Sequence, residues 1–111
     1  MKMDTTINTQ IDSVLLAKYF KKLVNHFFKI LPIRESKEES LSVYMKSLQR
    51  ELLGCKEFVT VLKHEPLMLT LVSILQYLID NPDTEMSYIR REVFRAIEIC
   101  NKLEARFSES R

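Results

Sequence analysis

The sequence predicts an all-α fold, and three observations support that prediction. Apolar residues recur three or four positions apart along most of the chain, which is the period of an amphipathic helix. The chain has one glycine, so it can form few of the tight hairpins that strands need. Its 111 residues are 46% hydrophobic, enough for one core. We expect an antiparallel bundle of four main helices plus one short helix.

The predicted domain covers residues 12–107. Residues 1–11 show no helical period, so we expect a flexible N-terminal segment, and residues 108–111 are expected to fray. The N-terminal segment lacks the apolar stretch of a secretory signal. No apolar run reaches the ~20 residues that a membrane span needs, so no role in a membrane is expected.

The first helix is predicted to have two distinct faces. It begins at Asp12 or Ser13, either of which can serve as N-cap, and it stops near Leu31 because Pro32 disfavours helical geometry in the preceding residue. At about 100° per residue from Lys18, its main apolar residues lie in an arc from about 100° to 240°. The other side, here called the lysine face, carries Lys18, Lys21, Lys22 and Lys29.

The second helix is predicted from its start and stop signals. Ser36 and Glu39 match a capping box, in which the hydroxyl and the carboxylate each satisfy a backbone amide of the first turn. Apolar residues then repeat at helical spacing as far as Leu52. Gly54 fits the left-handed position that follows a helix end, so we expect the helix to stop there.

A short helix between Cys55 and His64 is expected to precede the most apolar helix of the chain. Pro66 suits the first turn of that helix, which continues to Ile79 with only a narrow polar stripe. Such a segment should be buried on nearly all sides, by the rest of the bundle or by a second copy of the chain. The residues expected at the centre of the domain are Leu71, Leu75 and Leu78.

The last helix is predicted to follow a turn at residues 80–83. Asp83 or Thr84 can cap it, and it runs to about Phe107. Its apolar seam has alternating steps of three and four, at Met86, Ile89, Val93, Ala96, Cys100, Leu103 and Phe107. Phe94 and Ile99 lie away from this seam, so they either meet other helices or mark a contact patch for a partner.

Composition excludes several large function classes. Because Gly54 is the only glycine, the chain cannot build a glycine-rich phosphate loop, a dinucleotide-binding fingerprint or a nucleophile elbow with two flanking glycines. The net charge of +2 is too small to indicate nucleic acid or membrane as a partner on its own. Cys55 and Cys100 are too few for a disulfide framework, which favours a reducing cytoplasm.

No set of residues predicts catalysis. His26 and His64 have no Cys, His or paired carboxylate at metal-ligand spacing, and His26 is expected to be exposed. Cys100 falls within the apolar seam, where a free cysteine acts as a small hydrophobic residue. We therefore expect no cofactor, no metal site and no enzyme activity.

Four blocks of the sequence carry a resemblance. They are LLAKYFKKLVNHFFKILP, YMKSLQRELLGC, LVSILQYLID and REVFRAIEICNKL, and together they cover most of Leu15 to Leu103. In these blocks the chain resembles a group of small uncharacterised helical proteins carried by phages and mobile elements of gut Firmicutes. The resemblance implies an accessory role, in which such proteins bind a host or phage macromolecule, including components of bacterial defence systems.

The leading hypothesis is a cytoplasmic, non-catalytic interaction module that binds a protein partner and self-associates as a homodimer. The expected contacts lie on the last helix at Arg91, Phe94, Arg95 and Ile99, and the lysine face steers the approach of the partner. The alternative is a nucleic-acid-binding accessory protein that places Lys18, Lys21, Lys22 and Lys29 along a phosphate backbone.

Overall fold

The protein is all-α, as predicted. The computed structural model describes residues 2–37 and 39–109, with side chains at 13–37, 39–57 and 59–108, and no strand occurs among these residues. The helices are α1 (Lys2–Phe28), α2 (Ile30–Glu35), α3 (Ser40–Phe58), α4 (Thr60–Lys63), α5 (Pro66–Asp80) and α6 (Met86–Glu109). Four of these are long, as expected, and the described chain has two short helices instead of one.

The two longest helices, α1 and α6, pack side by side in opposite directions. At one end the Ser13 hydroxyl donates a hydrogen bond of 2.9 Å to the Phe107 carbonyl oxygen. At the other end the rings of Phe28 and Phe94 meet. Between them Phe20 stacks on Phe107 with the ring centroids 5.9 Å apart. This pair of helices forms one side of the bundle.

The helix α3 lies against α1 and α5, and polar side chains bridge it to both. The Tyr44 hydroxyl donates to the His26 carbonyl oxygen at 2.9 Å, and its oxygen lies 3.3 Å from His26 Nδ1. Because that hydroxyl hydrogen is already used, Nδ1 must be the donor in the second contact. The Gln49 amide donates to the Val72 carbonyl oxygen at 3.2 Å. His26 is thus half-buried at a helix contact and not simply exposed as expected.

The core is a single cluster to which every helix contributes. Leu71, Leu75 and Leu78 of α5 are buried at its centre, as predicted. Even the short helices supply a fully enclosed side chain each, Ile30 from α2 and Leu62 from α4. Burial of this kind supplies most of the stability of helices that would be marginal alone.

The start of α1 differs from the prediction. It begins at Lys2, well before the expected cap at Asp12 or Ser13, because residues 2–12 contain neither proline nor glycine to interrupt a helix. The expected flexible segment at 1–11 is helical from residue 2 onwards. A helix can thus continue beyond its apolar pattern, which is why the period alone misplaced its start.

The end of the first helical segment also differs. The helix α1 ends at Phe28, and α2 begins at Ile30 with Pro32 in its first turn. A proline is tolerated there because the amide groups of a first turn have no partner within the helix. The Ile33 amide bonds to the Lys29 carbonyl oxygen across the junction at 3.3 Å. Helical structure therefore does not stop near Leu31, because Pro32 lies in the first turn of a second, short helix.

The capping box predicted at residues 36–39 is wrong. Ser36 is the C-cap of α2, and Glu39 is the N-cap of α3 without a side-chain hydrogen bond. Lys37 has a positive φ of 55°, the left-handed geometry that commonly ends a helix. Glu38 lies outside the described residues. Ser36, Lys37 and Glu39 therefore belong to the connection between α2 and α3 and not to the first turn of α3.

Gly54 does not end a helix. The helix α3 passes through it to Phe58, and Gly54 does not have a positive φ. A glycine permits the left-handed conformation but does not enforce it. Because α3 takes up this additional stretch, the expected short helix between Cys55 and His64 is reduced to the four residues of α4.

The last two helices depart from the prediction in smaller ways. One side of α5 is not covered, since Leu69 and Tyr77 are exposed. The helix α6 begins at Met86, after the expected caps Asp83 and Thr84, because the Thr84 amide is held in a turn by the Asn81 carbonyl oxygen at 3.1 Å. It continues to Glu109, past the expected end, and residues 110–111 of the expected frayed end lie outside the described residues.

Candidate functional site

The structure separates the four contact residues expected on α6. Arg91, Phe94 and Arg95 are exposed, whereas Ile99 is only 7% exposed and belongs to the core. Residues outside the seam were expected either to meet other helices or to contact a partner, and Ile99 meets other helices. The prediction of Ile99 as a partner contact is wrong, because α6 is buried on a wider arc than a seam with one neighbouring helix requires.

Phe94 forms an exposed aromatic pair with a residue that the sequence analysis missed. Its ring meets that of Phe28 edge-on, with centroids 5.6 Å apart and an interplanar angle of 83°. The two residues are 46% and 41% exposed. A signal for Phe28 was present in the sequence, since on the helical wheel it falls about 40° outside the apolar arc of α1. That Phe28 meets Phe94 could not be predicted from the sequence, because it depends on how α1 and α6 pack.

Further contacts extend the pair across α6 to α5. Arg91 lies one helical turn before Phe94, so the two side chains are neighbours on the surface of α6. The Arg91 guanidinium lies over the Tyr88 ring, 5.2 Å from its centroid, and the Tyr88 and Tyr77 rings are also 5.2 Å apart. We call this continuous set the aromatic ridge, and its members are Phe28, Phe94, Arg91, Tyr88 and Tyr77.

The charges on α6 give two of its exposed arginines, Arg91 and Arg95, different roles. Arg95 donates to Glu92 at 2.8 Å, an ion pair within the helix that neutralises much of its charge. Arg91 pairs with no carboxylate among the described side chains. Its cation lies on an aromatic ring instead. Arg91 therefore retains a positive charge that can attract a partner's carboxylate.

The lysine face is exposed, as its pattern predicts. Lys18, Lys21, Lys22 and Lys29 all lie at the surface, and none pairs with a carboxylate among the side chains that the structure shows. Lys21 precedes Phe28 by seven residues, or two helical turns, so both lie on the same side of α1. The lysine face therefore borders the aromatic ridge instead of forming a separate surface.

The chemistry available to buried groups is limited. Burial raises the pKa of the Cys100 thiol to about 12, so it stays protonated near neutral pH and is a poor nucleophile. Burial, together with the hydrogen bond that Tyr19 donates to Glu51, also raises the pKa of the Tyr19 phenol. In the described part of the chain, no three His, Cys, Asp or Glu side chains form a group that could hold a metal ion.

Neither the described helices nor the comparisons with known proteins point to a further kind of site. Within the described residues, each helix is too short or too polar to cross a lipid bilayer. Comparison of the chain with protein-family models, curated proteins and solved structures finds no match.

Proposed function

We propose that this protein is a non-catalytic interaction module that binds another protein through the aromatic ridge. The observation that carries this proposal is the row of neighbouring side chains that runs from Phe28 on α1, across α6, to Tyr77 on α5. Aromatic residues and arginine are the residue types most enriched where binding energy concentrates in protein interfaces. The ridge thus has the composition of a contact centre.

The energetics favour a partner that covers the exposed aromatic rings. Phe28, Tyr77 and Phe94 each leave about two-fifths of their surface in water. Complete burial of such a side chain contributes about 1.5–3 kcal/mol, so covering the exposed remainder contributes roughly 1 kcal/mol for each ring. These rings are already held in place by their neighbours, so little side-chain freedom is lost on binding.

The charges around the ridge indicate the chemistry of the partner. Arg91 lies within the ridge without a described carboxylate, and Lys21 is on the same side of α1 as Phe28. A complementary surface therefore offers an apolar recess for the rings and a carboxylate for Arg91. The lysine face accelerates the approach of such an acidic partner and contributes less to final affinity.

We further propose that the chain is an accessory protein of a phage or mobile element, as the resemblance of its sequence implies. A small protein that binds and modulates a larger one needs a contact surface and no active site. We propose a component of a host defence system as the class of partner. Self-association as a homodimer is a further outcome that the binding experiment must separate from recognition of a different protein.

The experiment compares two variants with equally exposed apolar residues. Phe94 and Leu53 are 46% and 45% exposed, and Leu53 lies on α3, away from the ridge. We expect the wild-type chain and Leu53→Ser to capture the same protein from the producing cells, and Phe94→Ser to recover roughly tenfold less of it. Equal recovery by all three chains, or recovery of no protein other than the chain itself, contradicts the proposal.

The lysine face supports nucleic-acid binding as a second candidate function. Its four lysines are exposed and unpaired with any described carboxylate, so they are free to neutralise phosphates. If they do, affinity for duplex DNA falls steeply with salt. Lys21→Glu combined with Lys22→Glu then abolishes binding, whereas Lys46→Glu, a charge reversal on exposed α3 surface, changes it little. This candidate function is excluded if the affinity for duplex DNA changes neither with salt concentration nor on reversal of the charges of Lys21 and Lys22.

A further inference from the structure

A cleft at the end of the bundle away from the N-terminus of α1 combines an apolar floor with a cation. It measures about 550 Å³, within the range of sites that hold small molecules. Helices α2, α3, α5 and α6 and the turn before α6 surround it. Its floor is aliphatic and buried, formed by Ile30, Met45, Leu78 and Ile89.

The cation that lines this cleft is Arg34, and its hydrogen bonding is incomplete. One terminal nitrogen, Nη2, donates to the Thr84 carbonyl oxygen at 3.1 Å. Its Nε is buried and has no hydrogen-bond partner. No carboxylate among the described side chains forms an ion pair with the guanidinium. A guanidinium has five N–H donors, and leaving a charged donor buried without an acceptor is unfavourable.

An anion bound in the cleft would neutralise the charge of the guanidinium and accept hydrogen bonds from the terminal N–H groups that the Thr84 carbonyl oxygen does not use. The guanidinium charge is delocalised over its three nitrogens, so a carboxylate held by the terminal Nη groups also offsets the charge at the enclosed Nε. The rim of the cleft carries Lys37, Glu39 and Asp83, so together with Arg34 its formal charge is zero. A ligand with several negative charges would meet the two rim carboxylates. A single negative charge is therefore favoured.

We infer that this cleft binds a small aliphatic carboxylate, with the carboxylate on Arg34 and the hydrocarbon chain along the aliphatic lining, where Leu41 and Ile79 are partly exposed beside the buried floor. The floor has no aromatic ring on which a planar ligand could stack, which favours a flexible saturated chain. None of the residues of the aromatic ridge lines the cleft. The inference is therefore independent of the proposed protein-binding function.

The experiment is a titration of the intact protein with decanoate, followed by backbone amide resonances in NMR and by calorimetry. We expect decanoate to shift the resonances of α2, the first half of α3 and the turn at 81–85. We expect 1-decanol, which lacks the carboxylate, to bind at least roughly tenfold more weakly than decanoate. Arg34→Met, which keeps an unbranched side chain and removes the charge, should weaken decanoate binding by a similar factor.

Arg90→Met is the matched control, since it removes an exposed arginine from α6 outside the cleft. It should bind decanoate as the wild type does. The inference is overturned if Arg34→Met and Arg90→Met bind decanoate equally, if decanol binds the wild type as tightly as decanoate, or if shifts centre on Phe94 instead. Should Arg34→Met fail to fold, the comparison of decanoate with decanol on the wild-type chain decides. Phe94→Ser should leave decanoate binding intact, which separates this site from the ridge.

Discussion

Ile99 and Phe94 are five positions apart on α6, yet they have opposite environments. Both lie outside the regular seam, so the spacing of apolar residues does not distinguish them. In the structure Ile99 is enclosed, and Phe94 is nearly half exposed against Phe28. The difference arises because three helices, α1, α2 and α5, pack on α6, so its buried arc is wider than the seam and includes Ile99 but not Phe94.

This difference predicts unequal effects of truncation on stability. Ile99→Ala should lower the free energy of unfolding by about 2–5 kcal/mol, because it leaves a cavity in the core. Phe94→Ala should lower it by about 1 kcal/mol or less, because much of the ring is already in water. Urea unfolding followed by circular dichroism measures both. A larger loss for Phe94→Ala than for Ile99→Ala would show that the assignment of core and surface on α6 is reversed.

The buried Cys100 and the partly buried Tyr19 predict how stability depends on pH. Burial raises the pKa of Cys100 from its ordinary value of 9.0 to about 12, and burial also raises that of Tyr19. The unfolded chain therefore loses these protons at lower pH than the folded chain. Their contribution to stability is complete below pH 9 and is lost as the pH rises from about 9 towards 12.

The measurement is the free energy of unfolding in urea between about pH 7 and pH 11, a range in which the unfolded chain loses these protons. We expect a decline above about pH 9, and Cys100→Ala should make that decline shallower even if the variant is less stable at pH 7. An identical slope for the wild type and for Cys100→Ala would mean that Cys100 ionises as readily in the folded chain as in the unfolded one.

At the scale of the helices, α3 shows best what a sequence pattern can and cannot fix. Its apolar repeat from Leu41 to Leu52 was readable, and the residues of that repeat do face the core or its edge. Its ends were not, because Ser36 and Gly54 have the chemistry of caps but occupy a turn and a helix interior. Cap residues are compatible with several backbone states, and tertiary packing selects among them.

The continuity of α3 gives a prediction at this scale. A Cβ at Gly54 would meet no atom within 4 Å, and its φ is not positive. Gly54→Ala should therefore raise the free energy of unfolding by about 0.5–1 kcal/mol, since alanine restricts the unfolded chain and favours a helix. The reverse change at an exposed site of α6, Ala105→Gly, should lower it by a similar amount. Destabilisation by Gly54→Ala would mean that α3 ends at Gly54.

At the scale of the whole molecule, the sequence predicted the faces of the helices better than their neighbours. The lysine face and the central Leu71, Leu75 and Leu78 follow from periodicity alone. The aromatic ridge does not, because Phe28 and Phe94 are 66 positions apart and meet only when α1 packs against α6. The Arg34 cleft likewise depends on how α2, α3 and α5 converge. Contacts between distant segments are not encoded in the period of any one helix.

The central claim is that another protein covers the aromatic ridge, and oxidative footprinting by hydroxyl radicals tests it most directly. Oxidation of the ridge aromatics is compared between the purified chain and the chain within its producing cells. We expect Phe28, Tyr77 and Phe94 to be oxidised in the purified chain and protected in cells, while Leu53 and Val43, exposed on α3, are oxidised equally in both. Equal oxidation of the ridge in both settings would contradict the claim.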